Sequence, residues 1–154
     1  MYDRILVPVD GSEPSERGLT EAIAQARLTG ARLRLMHVVD ELSLAVAATG
    51  YVGYSGELIP LLREGGQKIL DAAKARAEAA GVTTETVLRD NFAARVCDLV
   101  VDEARQWPAD LIVIGTHGRR GAGRIFMGSD AEQILRMAPV PVLLVRQGTA
   151  AATT

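Results

Sequence analysis

The run Arg4-Ile5-Leu6-Val7-Pro8-Val9, closed by Asp10-Gly11-Ser12, is apolar almost without interruption. A strand with one wet face alternates apolar and polar residues; a strand covered on both faces does not. Residues 13–29 follow at once with a helical period that puts Leu19, Ile23 and Ala26 on one face. A doubly covered strand leading into an amphipathic helix is the opening of a β-α-β unit, so a parallel sheet is expected.

The same pattern recurs outward from this unit. Residues 32–39 read as a second strand, residues 111–114 as a fourth ended by Gly115, and residues 140–145 as a fifth. Residues 83–88 alternate and give a weaker third. Helical spacing fills the gaps. In residues 57–80 it aligns Ile59, Leu62, Ile69, Ala73 and Ala77, with Gly81 as the stop. In residues 92–106 it aligns Val96, Leu99, Val100 and Glu103, with Glu103 taken as a boundary residue and Asn91 as the N-cap. In residues 129–137 it aligns Ala131, Ile134 and Leu135, with Ala138 just beyond, and Pro139 ends the helix. The order β-α-β-α-β-α-β-α-β with right-handed crossovers predicts an α/β, doubly wound, Rossmann-like sheet with helices on both faces. Such sheets bind ligands beyond the carboxyl ends of the strands, where the strand order switches. Residues 41–56, ELSLAVAATGYVGYSG, form a long connection of small residues and tyrosine. One domain over residues 1–147 is expected, with 148–154 as a flexible C-terminal tail.

Composition excludes several classes. The 154 residues suffice for a single core, since a chain of this size hides about 68–70% of its unfolded surface. Aromatic residues are 4% of the chain, so the core must be built from Val, Leu, Ile and Ala. The net charge of −2 gives no global pull toward nucleic acid or acidic membrane. A single cysteine, Cys97, forbids an intramolecular disulfide. The start MYDRILVPVD lacks a signal pattern and no apolar run reaches membrane length, so a soluble cytoplasmic protein is expected.

The glycine surplus gathers after the fourth strand, in GTHGRRGAGRIFMGS from Gly115 to Ser129. Bare backbone here lets N–H groups meet a ligand without an intervening Cβ. Gly128-Ser129 opens the last helix, whose orphan N–H groups favour an anion. A phosphate chain fits this chemistry, and so does a loop with Ser129 as a plain N-cap. The spacing is neither that of the lysine-bearing P-loop nor the dinucleotide fingerprint.

Gly115-x2-Gly118-x9-Gly128-Ser129 resembles the nucleotide motif of the universal stress protein family, in its ATP-binding branch. Ile5-Leu6-Val7-Pro8-Val9-Asp10-Gly11-Ser12 is similar to that family's first strand and turn. Leu35 to Asp40, Ala109 to Gly118 and Ala138 to Arg146 are similar to its second, fourth and closing strands. The likeness runs from Tyr2 to Arg146 and implies an open five-stranded parallel sheet, order 3-2-1-4-5, usually dimeric. It implies ATP, with AMP and cyclic AMP as alternatives, lying across the ends of the first and fourth strands. Carried over, Pro8, Val9 and Asp10 line the nucleoside and the way in for the phosphates, and Val38 meets adenine through its backbone. Gly115 and Gly118 allow close approach to ribose and phosphates, with His117 beside them. Gly128, Ser129, Asp130 and Ala131 hold the phosphates. Asp10 is the candidate contact for a phosphate-bound Mg2+, or else a turn residue with Gly11 and Ser12.

Asp130 departs from the family pattern, which commonly has a small or apolar residue there. In a first helical turn it stabilises the helix, yet facing phosphates it repels them. Arg119, Arg120 and Arg124 read either as phosphate compensation or as a solvated loop face. His37 reads as structural, Cys97 as core packing, and Tyr51 and Tyr54 as loop residues or ligand caps. Two histidines without metal-ligand spacing make no metal site. The fifth strand is an apolar edge that a two-fold mate would cover, giving a homodimer. The expected function is an adenine-nucleotide-dependent stress or regulatory module. The alternatives are a slow ATP-hydrolysing enzyme, for which no catalytic constellation is visible, and a ligand-free dimerisation module.

Overall fold

The computed structural model describes residues 1–39, 55–90, 94–116 and 129–146. Along the chain run β1 (Arg4–Pro8), α1 (Glu13–Thr29), β2 (Arg32–Val38), α2 (Ser55–Ala79), β3 (Thr84–Arg89), α3 (Val96–Gln106), β4 (Leu111–Gly115), α4 (Ser129–Met137) and β5 (Val142–Val145). All strand pairings are parallel and the sheet order is β3-β2-β1-β4-β5. The expected class and strand order are therefore both observed. The tail from 148 and most of the long connection lie outside the described residues.

Alternation along the strands sorts two cores. Ile5, Val7, Leu33, Leu35, Leu111 and Val113 face α1 and α2, meeting Leu19, Ala22, Leu70, Ala73 and Ala77. Leu6, Met36, Ile112 and Ile114 face α3 and α4, meeting Cys97, Val100, Ala104, Ala131 and Ile134. Both faces are covered, which is why β1 and β4 carry continuous apolar runs. At the amino end of the sheet the Asp110 carboxylate accepts hydrogen bonds from the Asp3 and Arg4 N–H groups (2.8 and 3.1 Å), fixing β1 beside β4.

Some boundaries differ from expectation for physical reasons. β5 starts at Val142 because Pro141, whose carbonyl accepts from Ile112 N–H, has no N–H of its own to donate. α3 begins at Val96 with extended Arg95, not Asn91, in the capping position. Arg95 grips the Asp98 carboxylate from outside the helix (2.9 and 3.1 Å). Leu135, expected on the buried stripe of α4, is 43% exposed, since the nine-residue helix buries only Ala131 and Ile134.

The largest correction is Glu103. It is not a boundary residue: it is buried at 2% exposure under the β2–β3 side of the sheet. Its Oε1 accepts from Arg34 Nη1 at 2.6 Å, and its Oε2 accepts from the Arg89 guanidinium. Arg34 also donates to Glu85 and lies 4.7 Å above the centre of the Trp107 ring. Burial alone would raise the Glu103 carboxyl, but the hydrogen bonds and charges of Arg89 and Arg34 outweigh it and hold the group below the usual carboxylate range.

Candidate functional site at the carboxyl ends of β1 and β4

β1 is the switch strand. It pairs with β2 as far as Pro8–Met36, but its pairing with β4 stops at Leu6–Ile112. N–H groups of successive strand residues point to opposite sides. Val9 N–H goes to Met36 carbonyl on the β2 side (2.8 Å), so position 8 faces β4. Proline there offers no donor, and the two strands part. A proline inside a central strand is tolerated because it sits where the ladder ends. The crevice predicted by the strand order opens at this point.

The turn after β1 is tightly bonded. Asp10 Oδ1 accepts from Ser12 N–H at 2.8 Å, and Asp10 N–H donates to Ser15 Oγ at 3.1 Å. Ser12 caps α1, its Oγ accepting from Ser15 N–H at 3.4 Å. Gly11 has φ +77°, a conformation that a Cβ would strain. Asp10 is thus a turn residue with Ser12, as one of its two readings held. Its side chain remains exposed, and only Oδ1 is engaged among the described residues. Ser15 was not singled out from the sequence; Ser12-x-x-Ser15 is a variant of the capping-box spacing and was the available signal.

Across the crevice, the end of β4 is held on both sides. Thr116 N–H donates to Val145 carbonyl at 2.8 Å. The first turn of α1 lies against Gly115: a Cβ on Gly115 would stand 1.6 Å from the Pro14 carbonyl oxygen, and one on Gly18 would stand 2.7 Å from Gly115 N. The bareness of Gly115 therefore serves helix-to-strand contact. Val38 ends β2 next to β1 and is half-buried. α4 must run back along the sheet to reach parallel β5, so its first residues lie at the carboxyl end of the strands. There Ser129 and Asp130 are exposed and Ala131 is buried in the core. Eight predicted residues, Pro8, Val9, Asp10, Val38, Gly115, Ser129, Asp130 and Ala131, thus share one end of the sheet. His117, Gly118 and Gly128 lie outside the described residues, as do Arg119, Arg120, Arg124, Tyr51 and Tyr54.

Beneath α4, Cys97 is fully buried, as expected of core packing. Its thiol donates to Gln133 Oε1 at 3.3 Å, which also accepts from Arg95 Nη1 at 3.0 Å. Burial, with the Asp98 charge adding to it, pushes the thiol pKa up, so it is a poor nucleophile. Among the described residues no group of three or more His, Cys, Asp or Glu could hold a metal. A cleft of about 280 Å³ opens at the opposite end of the molecule, between the caps of α1 and α2, and none of the predicted residues lines it.

The profile of the universal stress protein family matches residues 1–146, which take in both strand ends and the glycine-rich segment between β4 and α4. The chain belongs to the universal stress protein family. A universal stress protein of Methanocaldococcus jannaschii is 37% identical over 152 residues, 96% of this chain and 84% of that protein. The crystal structure of a universal stress protein family member from Burkholderia pseudomallei superposes with a TM-score of 0.72 at 32% identity, covering 94% of this chain and 96% of that one. The universal stress protein from Archaeoglobus fulgidus solved in complex with dAMP has a TM-score of 0.67 at 26% identity, covering 94% and 98%. Among the described residues no helix is long and apolar enough to cross a membrane.

Proposed function

We propose that this universal stress protein binds an adenine nucleotide across the ends of β1 and β4 and acts as a nucleotide-dependent regulatory or stress-response module in the cytoplasm. The observation that carries the reading is the parting of β1 and β4 after Leu6–Ile112, at the strand end from which the glycine-rich segment follows in sequence. The dAMP complex of the Archaeoglobus fulgidus relative supports an adenine ligand. Pro8, Val9 and Asp10 would flank the nucleoside, Val38 would meet the base, and Gly115, His117 and Gly118 would border the ribose and phosphates. Gly128, Ser129, Asp130 and Ala131 would receive the phosphates at the N-terminus of α4. With ATP, the exposed Asp10 carboxylate would supply one oxygen to a Mg2+ whose other ligands are phosphate and water. When bound, that ion would neutralise phosphate charge.

Calorimetry with ATP, AMP and cyclic AMP, each with and without Mg2+, tests the proposal. Saturable binding of at least one adenine nucleotide is expected, tightest for ATP with Mg2+; no binding of any would refute it. Asp130→Ala is expected to leave affinity unchanged or to tighten it, because a carboxylate near the phosphates repels them. A large loss would instead make Asp130 a metal contact. Hydrolysis faster than about 1 s⁻¹, low for enzymes, would favour the enzymatic alternative.

We also propose that β5 pairs with its two-fold mate. All four of its residues are only half-buried and it is an edge strand. An apolar edge left bare is an aggregation hazard. Light scattering at micromolar concentration should give the mass of a dimer; a monomer would remove the idea.

A further inference from the structure

We propose that His37 is a positioning residue for the nucleotide site, acting through the main chain of Val9; the inference rests on the function proposed above. His37 lies near the end of β2, 9% exposed. Its Nδ1 is 2.8 Å from the Val9 carbonyl oxygen. A carbonyl only accepts, so the hydrogen sits on Nδ1. Val9 is gripped twice from one strand, its N–H by the Met36 carbonyl and its own carbonyl by the neighbouring imidazole. Pro8 before it has no donor, and the ladder to β4 has already ended. The next residue is Asp10, whose N–H is held by Ser15. The path of the chain from β1 into the crevice thus depends on the His37 ring.

A second observation shows that the ring's place is built. α2 carries glycine at position 66, although glycine is the poorest helix former after proline. A Cβ on Gly66 would stand 2.5 Å from His37 Cδ2, 2.9 Å from Leu88 Cδ1 and 3.0 Å from His37 Nε2, so the imidazole is its nearest neighbour. At the neighbouring Gly65 nothing lies within 4 Å. The helix gives up a side chain where the imidazole needs room. The ring lies against Gly66 on the face shared with α2, and its Nδ1 is on the Val9 carbonyl, so its action on the turn runs through the main chain.

The test compares nucleotide affinity of the full chain with that of His37→Phe and His37→Asn. Phenylalanine keeps the ring and loses the donor; asparagine restores an N–H at the position of Nδ1. Affinity should fall about two- to tenfold in His37→Phe, the range of one net hydrogen bond. In His37→Asn it should return to within about twofold of the parent chain. A ring that merely fills space predicts the reverse, with phenylalanine tolerated and asparagine not, and that result would overturn the proposal. Nitrogen-15 spectra of the unliganded chain give a readout free of folding and of ligand. An Nδ1–H tautomer supports the assignment, and an Nε2–H tautomer overturns it even where His37→Phe does not fold. If the parent chain binds no adenine nucleotide, the functional reading fails and this inference with it, while the tautomer still reports on the Val9 contact. If the parent binds and both variants bind equally well, only the role of His37 falls.

Discussion

Gly115→Ala is expected to unfold at a temperature about 6–12 °C below that of the parent chain. The new Cβ would lie 1.6 Å from the Pro14 carbonyl oxygen, 2.3 Å from the Pro14 carbonyl carbon and 3.0 Å from Ser15 N. All three are main-chain atoms at the start of α1, so no side chain can swing aside. Either α1 lifts off the sheet or β4 sinks. Overpacking costs typically about 1–3 kcal/mol, and a clash with rigid backbone belongs at the upper end. For a chain of this size about 1 kcal/mol corresponds to about 2–4 °C. Gly18→Ala should act in the same direction, since its Cβ would meet Gly115 N at 2.7 Å. Gly65→Ala supplies the opposite sign in the same assay. It sits mid-helix in open space and should stabilise by roughly 1 kcal/mol through helix propensity. Melting curves of the three variants decide the matter. A Gly115→Ala curve within about 2 °C of the parent would mean that α1 and β4 are not in the contact described.

The glycine at 115 also marks the limit of sequence reading. Its position at a strand end was legible, and so was its need for bare backbone. That the first partner of the bare backbone is Pro14, about a hundred residues earlier, was not, because steric contact between distant segments leaves no local pattern. The same holds for Gly66, whose empty side accommodates a ring from β2. By contrast β1, β2 and β4 were legible nearly to the residue. For β1 and β4, burial on both faces forces a continuous apolar run, and the following turn residues end it. β3 was fainter because an edge strand is only half-buried and alternates. The crevice at the ends of β1 and β4 was legible as a place once the family resemblance supplied the strand order. The grip on it, through Ser15 and His37, is made by polar side chains bonding to main chain, and such bonds do not follow a period.

Glu103 shows why a periodic pattern can be right while its reading is wrong. Helical spacing put this residue on the buried face of α3, and only its charge argued for the surface. Two arginines from β2 and β3 resolve the conflict, and neither neighbours it in sequence.

Glu103→Gln keeps the shape and removes the charge, and it is expected to lower stability by about 2–3 kcal/mol at pH 7. Removing one partner of a buried ion pair costs about 3–5 kcal/mol. The lower figure applies because the side chains of Arg34 and Arg89 remain 22% and 35% exposed and keep part of their hydration. Arg34 also keeps its bond to Glu85, and Arg89 its bond to Gln106 at 3.2 Å. The pH dependence gives the sharper test. The folded-state carboxyl is held below its unfolded value, so the native state resists protonation of Glu103. Its contribution is fully present above the unfolded value of about 4.3 and is lost as pH falls through the lower folded one. The stability difference between parent and variant, measured by urea titration, should be constant from pH 7 to about pH 5 and then shrink toward pH 3. A difference that stays the same down to pH 3 would mean that Glu103 acts through packing and not as a charge. Glu85, also lowered by its hydrogen bond to Arg34, is retained in the variant and so affects both curves alike. The shrinking gap can then be assigned to one buried carboxylate, which joins the β2–β3 side of the sheet to α3.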